Sequence, residues 1–137
     1  SSHYYPPEVP ALPSFNLQKK VAEVIDRHGR EYYTGTVYST NRRVWEHDEK
    51  FKEYLSLVRA IGIDMETSTI FLVGFANHIP KGALLLVTDS PMLPEGIKTE
   101  ETDREVIQEY AELHLRIGVE ALRELKRTGE SVKHLRF

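Results

Sequence analysis

Three carboxylates follow two short apolar segments of the sequence. Asp64 and Glu66 come directly after Ala60–Ile63. Asp89 closely follows a second apolar run, Ala83–Val87. Continuous apolar runs are typical of strands buried on both faces, and two strands joined by a helical crossover are parallel. Because open α/β sheets bind ligands at the carboxyl ends of their strands, we predict that these carboxylates converge at one sheet edge. Strand alternation further predicts that Asp64 and Glu66 point the same way.

Helical and strand patterns alternate along the chain. The predicted strands are Tyr32–Tyr38, Ala60–Ile63 and Ala83–Val87. The predicted helices are one capped by Ser14 and stopped by Gly29, then Glu49–Val58, a buried crossover helix Thr67–Ile79, and one capped by Thr102 or Asp103 that runs to about Arg127. Such alternation is typical of the α/β class. Three strands make a small sheet, so we expect further polypeptide to cover its faces.

Composition narrows the possible functions. At 137 residues the chain is expected to form one domain, 1–137. Its net charge of −3 gives no electrostatic basis for binding nucleic acid or a membrane surface. There is no cysteine, and the histidines lack metal-ligand spacing, so no metal or other cofactor is expected. The sequence has no apolar run long enough to span a membrane, and we expect a cytoplasmic protein.

Several strings resemble a known family. IDMET at 63–67 and LVTD at 86–89 resemble strand ends of the nucleoside phosphorylase and nucleosidase superfamily. More narrowly, four strings are similar to the AMP nucleosidase family: GTVYSTNRRVWE at 35–46, TDSPM at 88–92, PEGIKT at 94–99 and LRIG at 115–118. The resemblance implies a three-layer α/β/α fold and a catalytic domain longer than this chain. On that basis the chain is the C-terminal portion of the domain, and the N-terminal half is absent from it.

The resemblance also implies a reaction, the hydrolysis of AMP to adenine and ribose 5-phosphate. Asp89 is then the candidate general acid that protonates purine N7, with Thr88 beside it facing the purine. Donation at neutral pH requires a carboxyl that keeps its proton, which burial favours. A structural alternative is that Asp89 caps the following loop.

The ribose is assigned by resemblance to the residues after the first apolar run. Glu66 is the candidate ligand for its two hydroxyls, since one carboxylate accepts from both. Met65 packs on the sugar or the base, and Asp64 lies near the substrate. The alternatives are a helix N-terminal acid for Glu66, a core position for Met65 and a surface ion pair for Asp64.

The polar loop before the second helix supplies the remaining candidates. Trp45, with Val44, occupies the place of base-stacking residues in relatives, although a tryptophan can equally cover a core. Arg43, together with Arg42 and Lys98, is a candidate for the 5′-phosphate, and the alternative is that these charges are simply solvated.

Two other functions stay open. A purine nucleoside phosphorylase would keep the fold and use phosphate in place of water. A non-catalytic subunit or fragment of this fold would bind without turnover. The expected partners are AMP or another purine nucleotide or nucleoside, the missing N-terminal half of the domain, and other copies of the chain, since relatives form hexamers.

Overall fold

A computed structural model describes residues 5–6, 8–93 and 100–128 of the chain. Its elements are α1 (Phe15–Arg27), β1 (Thr36–Ser39), α2 (Glu49–Leu57), β2 (Ala60–Asp64), α3 (Thr67–Ala76) and α4 (Glu100–Thr128). The helices and the parallel strand pair fit the α/β class. Every element is one that the sequence predicts, with ends that differ by up to four residues.

The chain forms two compact units. The first consists of Ser1–Tyr32, Glu66–Leu84 and Arg116–Phe137, and the second of Tyr33–Met65 and Leu85–Leu115. In the first unit, α1 buries the apolar positions that its helical spacing predicts: Leu17, Val21, Val24 and Ile25. Ile117 and Ala121 of α4 are also buried. The stop predicted at Gly29 is confirmed, since this residue follows the helix with a φ of 64° that only glycine adopts without strain.

An ion pair and a hydrogen bond join the end of α1 to α4. Arg27 binds the carboxylate of Glu124. His28 Nε2 lies 3.0 Å from a carboxylate oxygen of Glu120. Both side chains lie at the C-terminal end of α1, where the positive charge of Arg27 also complements the helix dipole. These contacts therefore fix the side of α4 that faces α1.

The segment Ala83–Val87 is not a strand, so the prediction of a third strand is wrong. The backbone groups at its start are bound by a side chain of α1. Gln18 Nε2 donates to the Ala83 carbonyl at 2.9 Å, and the Ala83 amide donates to Gln18 Oε1 at 3.0 Å. One side-chain amide thus replaces the pair of hydrogen bonds that a neighbouring strand would make.

Ser14 stands at the N-cap of α1 as predicted, but its hydroxyl does not cap the helix. Its Oγ accepts from the Lys81 amide at 3.1 Å, and its own amide donates to the Lys81 carbonyl at 2.6 Å. Ser14 is buried, so its polar atoms must find partners. The residue therefore ties α1 to the segment after α3 instead of closing the helix end.

The second unit contains the sheet. β1 and β2 are parallel, and α2 connects them, so the β–α–β crossover lies one step earlier in the chain than predicted. The partners run from Thr36 opposite Ala60 to Ser39 opposite Asp64, with one irregularity after Thr36. Tyr38 packs edge-to-face on Phe51 and Tyr54 of α2, at 5.7 and 5.8 Å between ring centroids. This packing holds α2 against the strand that precedes it.

α3 is not buried all round, contrary to prediction. It buries Phe71, Leu72 and Gly74, whereas Ile70, Val73 and Phe75 are each at least half exposed. It also ends at Ala76, before the predicted Ile79. A helix that is apolar on every side can bury only the side for which a neighbour is present.

α4 begins at Glu100, so the predicted caps Thr102 and Asp103 fall inside it. Within the described ranges, no helix is both long and apolar enough to cross a membrane.

Val24 offers a test of the α1 packing, since it is fully buried. We expect Val24→Ala to lower the free energy of unfolding by about 2 kcal/mol, because it removes buried methyl groups and leaves a cavity. Urea unfolding followed by circular dichroism measures the loss. Val119→Ala, at an exposed position of α4, is the matched control and should change stability by less than about 0.5 kcal/mol. Equal losses in both variants would contradict the assigned core.

Candidate functional site

Asp64 is the last residue of β2, and three bonds or pairings hold it to β1. Its backbone lies opposite Ser39 in the parallel register. The Ser39 hydroxyl donates to Asp64 Oδ1 at 2.6 Å, and the Thr40 amide donates to the Asp64 carbonyl at 2.8 Å. The predicted placement of Asp64 at the carboxyl end of a parallel strand is confirmed. At this position a carboxylate can accept hydrogen bonds from a ligand.

Met65 and Glu66 leave the strand. Met65 is 42% exposed. Glu66 is exposed and occupies the N-cap of α3, but its side chain does not cap the helix; its carbonyl accepts from the Ile70 amide at 3.1 Å. β2 ends at Asp64, so the alternation of side chains along a strand does not extend to Glu66. The prediction that Glu66 and Asp64 point in the same direction therefore loses the argument on which it was made. Glu66 belongs to the first compact unit, whereas Asp64 and Met65 belong to the second.

Thr88 and Asp89 follow the extended segment that forms no strand. The Thr88 hydroxyl donates to Asp89 Oδ1 at 3.0 Å, and both residues are partly buried. The sheet therefore does not position Asp89 in the way the sequence predicts. The neighbouring hydroxyl fixes one of its carboxyl oxygens instead.

Trp45 and Val44 differ sharply in exposure. Trp45 is only 9% exposed and packs edge-to-face on Phe51, with 6.0 Å between ring centroids. Val44 is 73% exposed. The tryptophan thus contributes to the core of the second unit, as its structural alternative predicts, and Val44 is the residue of the two whose surface is open to a ligand.

Arg42 and Arg43 also have different surroundings. Arg42 donates to Asp48 Oδ2 at 2.5 Å, and its guanidinium lies 5.0 Å from the centroid of the Phe51 ring. Asp48 Oδ1 accepts from the Phe51 amide at 3.1 Å and so caps α2. The hydrogen bond from Arg42 is the main cause that lowers the pKa of Asp48, and the hydrogen bond from the Phe51 amide lowers it further. Arg43 is exposed, and Lys98 lies outside the described residues.

The second compact unit contains every candidate except Glu66: Arg43, Val44, Trp45, Asp64, Met65, Thr88 and Asp89. The sequence analysis did not include Ser39 in the candidate site. Its hydroxyl, at the end of a predicted strand, could have indicated a partner for the acidic residue that ends the next strand. Among the described residues, no three histidine or acidic side chains are grouped closely enough to hold a metal ion.

Comparison with known proteins agrees with the quoted strings. The model of the Phosphorylase superfamily matches residues 1–123. AMP nucleosidase of Escherichia coli strain K12 is 32% identical over 134 residues, and the protein of that name from the O157:H7 strain matches equally. The crystal structure of AMP nucleosidase from Bacteroides thetaiotaomicron VPI-5482 superposes with a TM-score of 0.76 and is 45% identical, covering 95% of this chain.

The coverage of the relatives is partial. The chain spans 28% of the length of the Escherichia coli proteins and 48% of the solved Bacteroides chain. The predicted resemblance to AMP nucleosidases and the predicted α/β fold of the nucleoside phosphorylase type are both confirmed by these matches.

Asp48 provides a pH-dependent test of the loop that carries Arg43, Val44 and Trp45. Its pKa is lower in the folded than in the unfolded chain, so its charge stabilises the fold above about pH 4, and this contribution is lost as the pH falls through the folded-state pKa. We expect Asp48→Asn to lower the urea midpoint at neutral pH, and we expect this difference from the parent to shrink as the pH falls below about 4. Asp26→Asn, which removes an exposed charge on α1, is the control. A midpoint difference that does not change with pH would contradict the ion pair.

Proposed function

Because this chain belongs to the phosphorylase superfamily, we propose that it forms part of an enzyme that hydrolyses the N-glycosidic bond of AMP to adenine and ribose 5-phosphate. The observation that carries the proposal is the similarity to the AMP nucleosidase of Bacteroides thetaiotaomicron over nearly the whole chain. Asp64, Met65 and Glu66, at and after the end of β2, supply carboxylates that accept hydrogen bonds and a thioether that packs on a sugar or base.

Asp89 acts as the general acid in this proposal. Water attacks C1′ of the ribose and releases one proton to the solvent, while the C1′–N9 bond breaks and its electron pair leaves with adenine. A proton delivered to N7 neutralises the charge that develops on the departing base. The Thr88 hydroxyl donates to Oδ1 of Asp89, which makes this oxygen an acceptor.

The sugar is bound by the residues that leave β2. Glu66 is exposed at the start of α3, and in this proposal its carboxylate accepts hydrogen bonds from the 2′- and 3′-hydroxyls. Met65 offers an exposed thioether that packs on the sugar or base. Asp64, fixed by Ser39, accepts a further hydrogen bond from the nucleotide.

The polar loop contributes to the base and the phosphate. Val44 presents an apolar surface to the purine, and Trp45 supports this loop from within the core. Exposed Arg43 is the proposed phosphate ligand, since its neighbour Arg42 already pairs with Asp48. A guanidinium binds phosphate oxygens in a bidentate manner.

Asp89→Asn tests the reaction and its acid together. In the full-length gene product, we expect AMP to be converted to adenine and ribose 5-phosphate without added phosphate, and the variant to lose about 10²- to 10⁴-fold in kcat. Chromatography of the products measures both. Asp26→Asn should retain the parent rate, and thermal unfolding should show that both variants are folded.

Two results would contradict this assignment. A strict requirement for phosphate, with a sugar phosphorylated at C1′ as product, would favour the phosphorylase alternative. Unchanged turnover in Asp89→Asn would remove this residue from the chemistry, and an inactive parent would favour the non-catalytic alternative.

We also propose that the active protein needs polypeptide beyond these 137 residues. The solved relative is about twice as long as the part this chain matches, and α3 exposes Ile70, Val73 and Phe75. Apolar side chains of this size on one helix are typical of a surface covered by other protein. The N-terminal half of the catalytic domain is the proposed cover. A hexameric assembly stays a prediction from resemblance.

The isolated 137-residue chain offers the corresponding test. We expect it to lack AMP hydrolysis and to enhance the fluorescence of an apolar dye, whereas the full-length gene product should be active and give a weaker dye signal. Val73→Glu in the isolated chain should reduce dye binding, since it places a charge on the exposed face of α3. Hydrolysis by the isolated chain at the rate of the full-length product would contradict the proposal.

A further inference from the structure

Ser39 and Asp64 end the two strands of the sheet side by side. They are register partners, so their side chains project from neighbouring positions of the parallel pair. The Ser39 Oγ to Asp64 Oδ1 distance is 2.6 Å. A hydrogen bond from a hydroxyl to a carboxylate oxygen at this distance is short.

The end of β1 is itself held in place. Thr40 is buried, its amide donates to the Asp64 carbonyl at 2.8 Å, and its hydroxyl accepts from the Arg42 amide at 3.1 Å. The hydrogen bonds of Thr40 therefore hold the backbone directly after Ser39 in place. A donor with so little freedom also restricts the rotation of the carboxylate that it binds.

We propose that Ser39 is a positioning residue that acts through Asp64. Its hydroxyl orients the Asp64 carboxylate so that this group accepts a hydrogen bond from a hydroxyl or an amino N–H of the bound nucleotide. A carboxylate has about four acceptor sites, so a carboxylate that accepts from Ser39 can accept from other donors as well. The proposal rests on the function proposed above, since it assigns Asp64 to substrate binding.

Orientation of this kind affects binding more than the chemical step. We expect Ser39→Ala in the full-length gene product to raise KM for AMP about tenfold and to change kcat by less than about twofold. Ser39→Thr keeps the hydroxyl and should restore KM to within about threefold of the parent. Ser56→Ala is the matched control, because it removes the hydroxyl of an exposed serine of α2, which donates to the Lys52 carbonyl. It should leave both constants unchanged.

A double-mutant cycle separates positioning from a structural role. If Ser39 acts through Asp64, Ser39→Ala should add nothing to the KM already raised by Asp64→Ala. Thermal unfolding of the same samples shows whether each variant is folded. Should Ser39→Ala fail to fold, Ser39→Cys takes its place, since a thiol of similar shape donates only weakly and should raise KM as well.

The outcomes distinguish the two proposals. An active parent with unchanged KM in folded Ser39→Ala or Ser39→Cys overturns the positioning role and leaves the proposed function standing. Additive effects of Ser39→Ala and Asp64→Ala overturn it as well. A parent that does not hydrolyse AMP overturns the proposed function, and the role of Ser39 in that reaction falls with it.

Discussion

The parallel pairing of β1 with β2 is the constraint on which the candidate site depends. It sets Ser39 beside Asp64, and it fixes the point at which the chain turns from strand into Met65 and Glu66. Aromatic contacts of Tyr38 with Phe51 hold α2 against the same strand, and α2 in turn is capped by Asp48. A shift of one residue in this register would move Asp64 to the opposite face of the sheet.

Contacts with the start of α2 hold the polar loop that precedes this helix. Arg42 lies between the ring of Phe51 and the carboxylate of Asp48, so the loop is fixed by both a cation–π contact and an ion pair. Trp45 packs into the core from that loop. Val44 and Arg43 are then presented outward from a supported segment, which is the arrangement a binding loop needs if it is to lose little entropy on binding.

Local patterns predicted the helices and the strands β1 and β2 well, because apolar spacing and stop signals act within a few residues. The buried face of α1 and the stop at Gly29 are examples. The failures concern partners distant in sequence. Ala83–Val87 is apolar, as a buried strand would be, but the side chain of Gln18 in α1 binds the backbone of Ala83. No local sequence pattern predicts that contact. The exposed side of α3 has the same origin, since hydropathy does not show which neighbours are present. Of the candidate site, the position of Asp64 at a strand end was predictable because it follows an apolar run, whereas the surroundings of Glu66 and Asp89 were not. The support by Ser39 depends on strand register.

The central claim is that the strand ends of this sheet bind a purine nucleotide. A crystal structure of the full-length gene product with adenine and ribose 5-phosphate tests it most directly. We predict the base next to Asp89 and Val44, and the sugar in contact with Met65, with Asp64 accepting a hydrogen bond from the ligand. Density for both ligands at a site that contacts none of these residues would contradict the account.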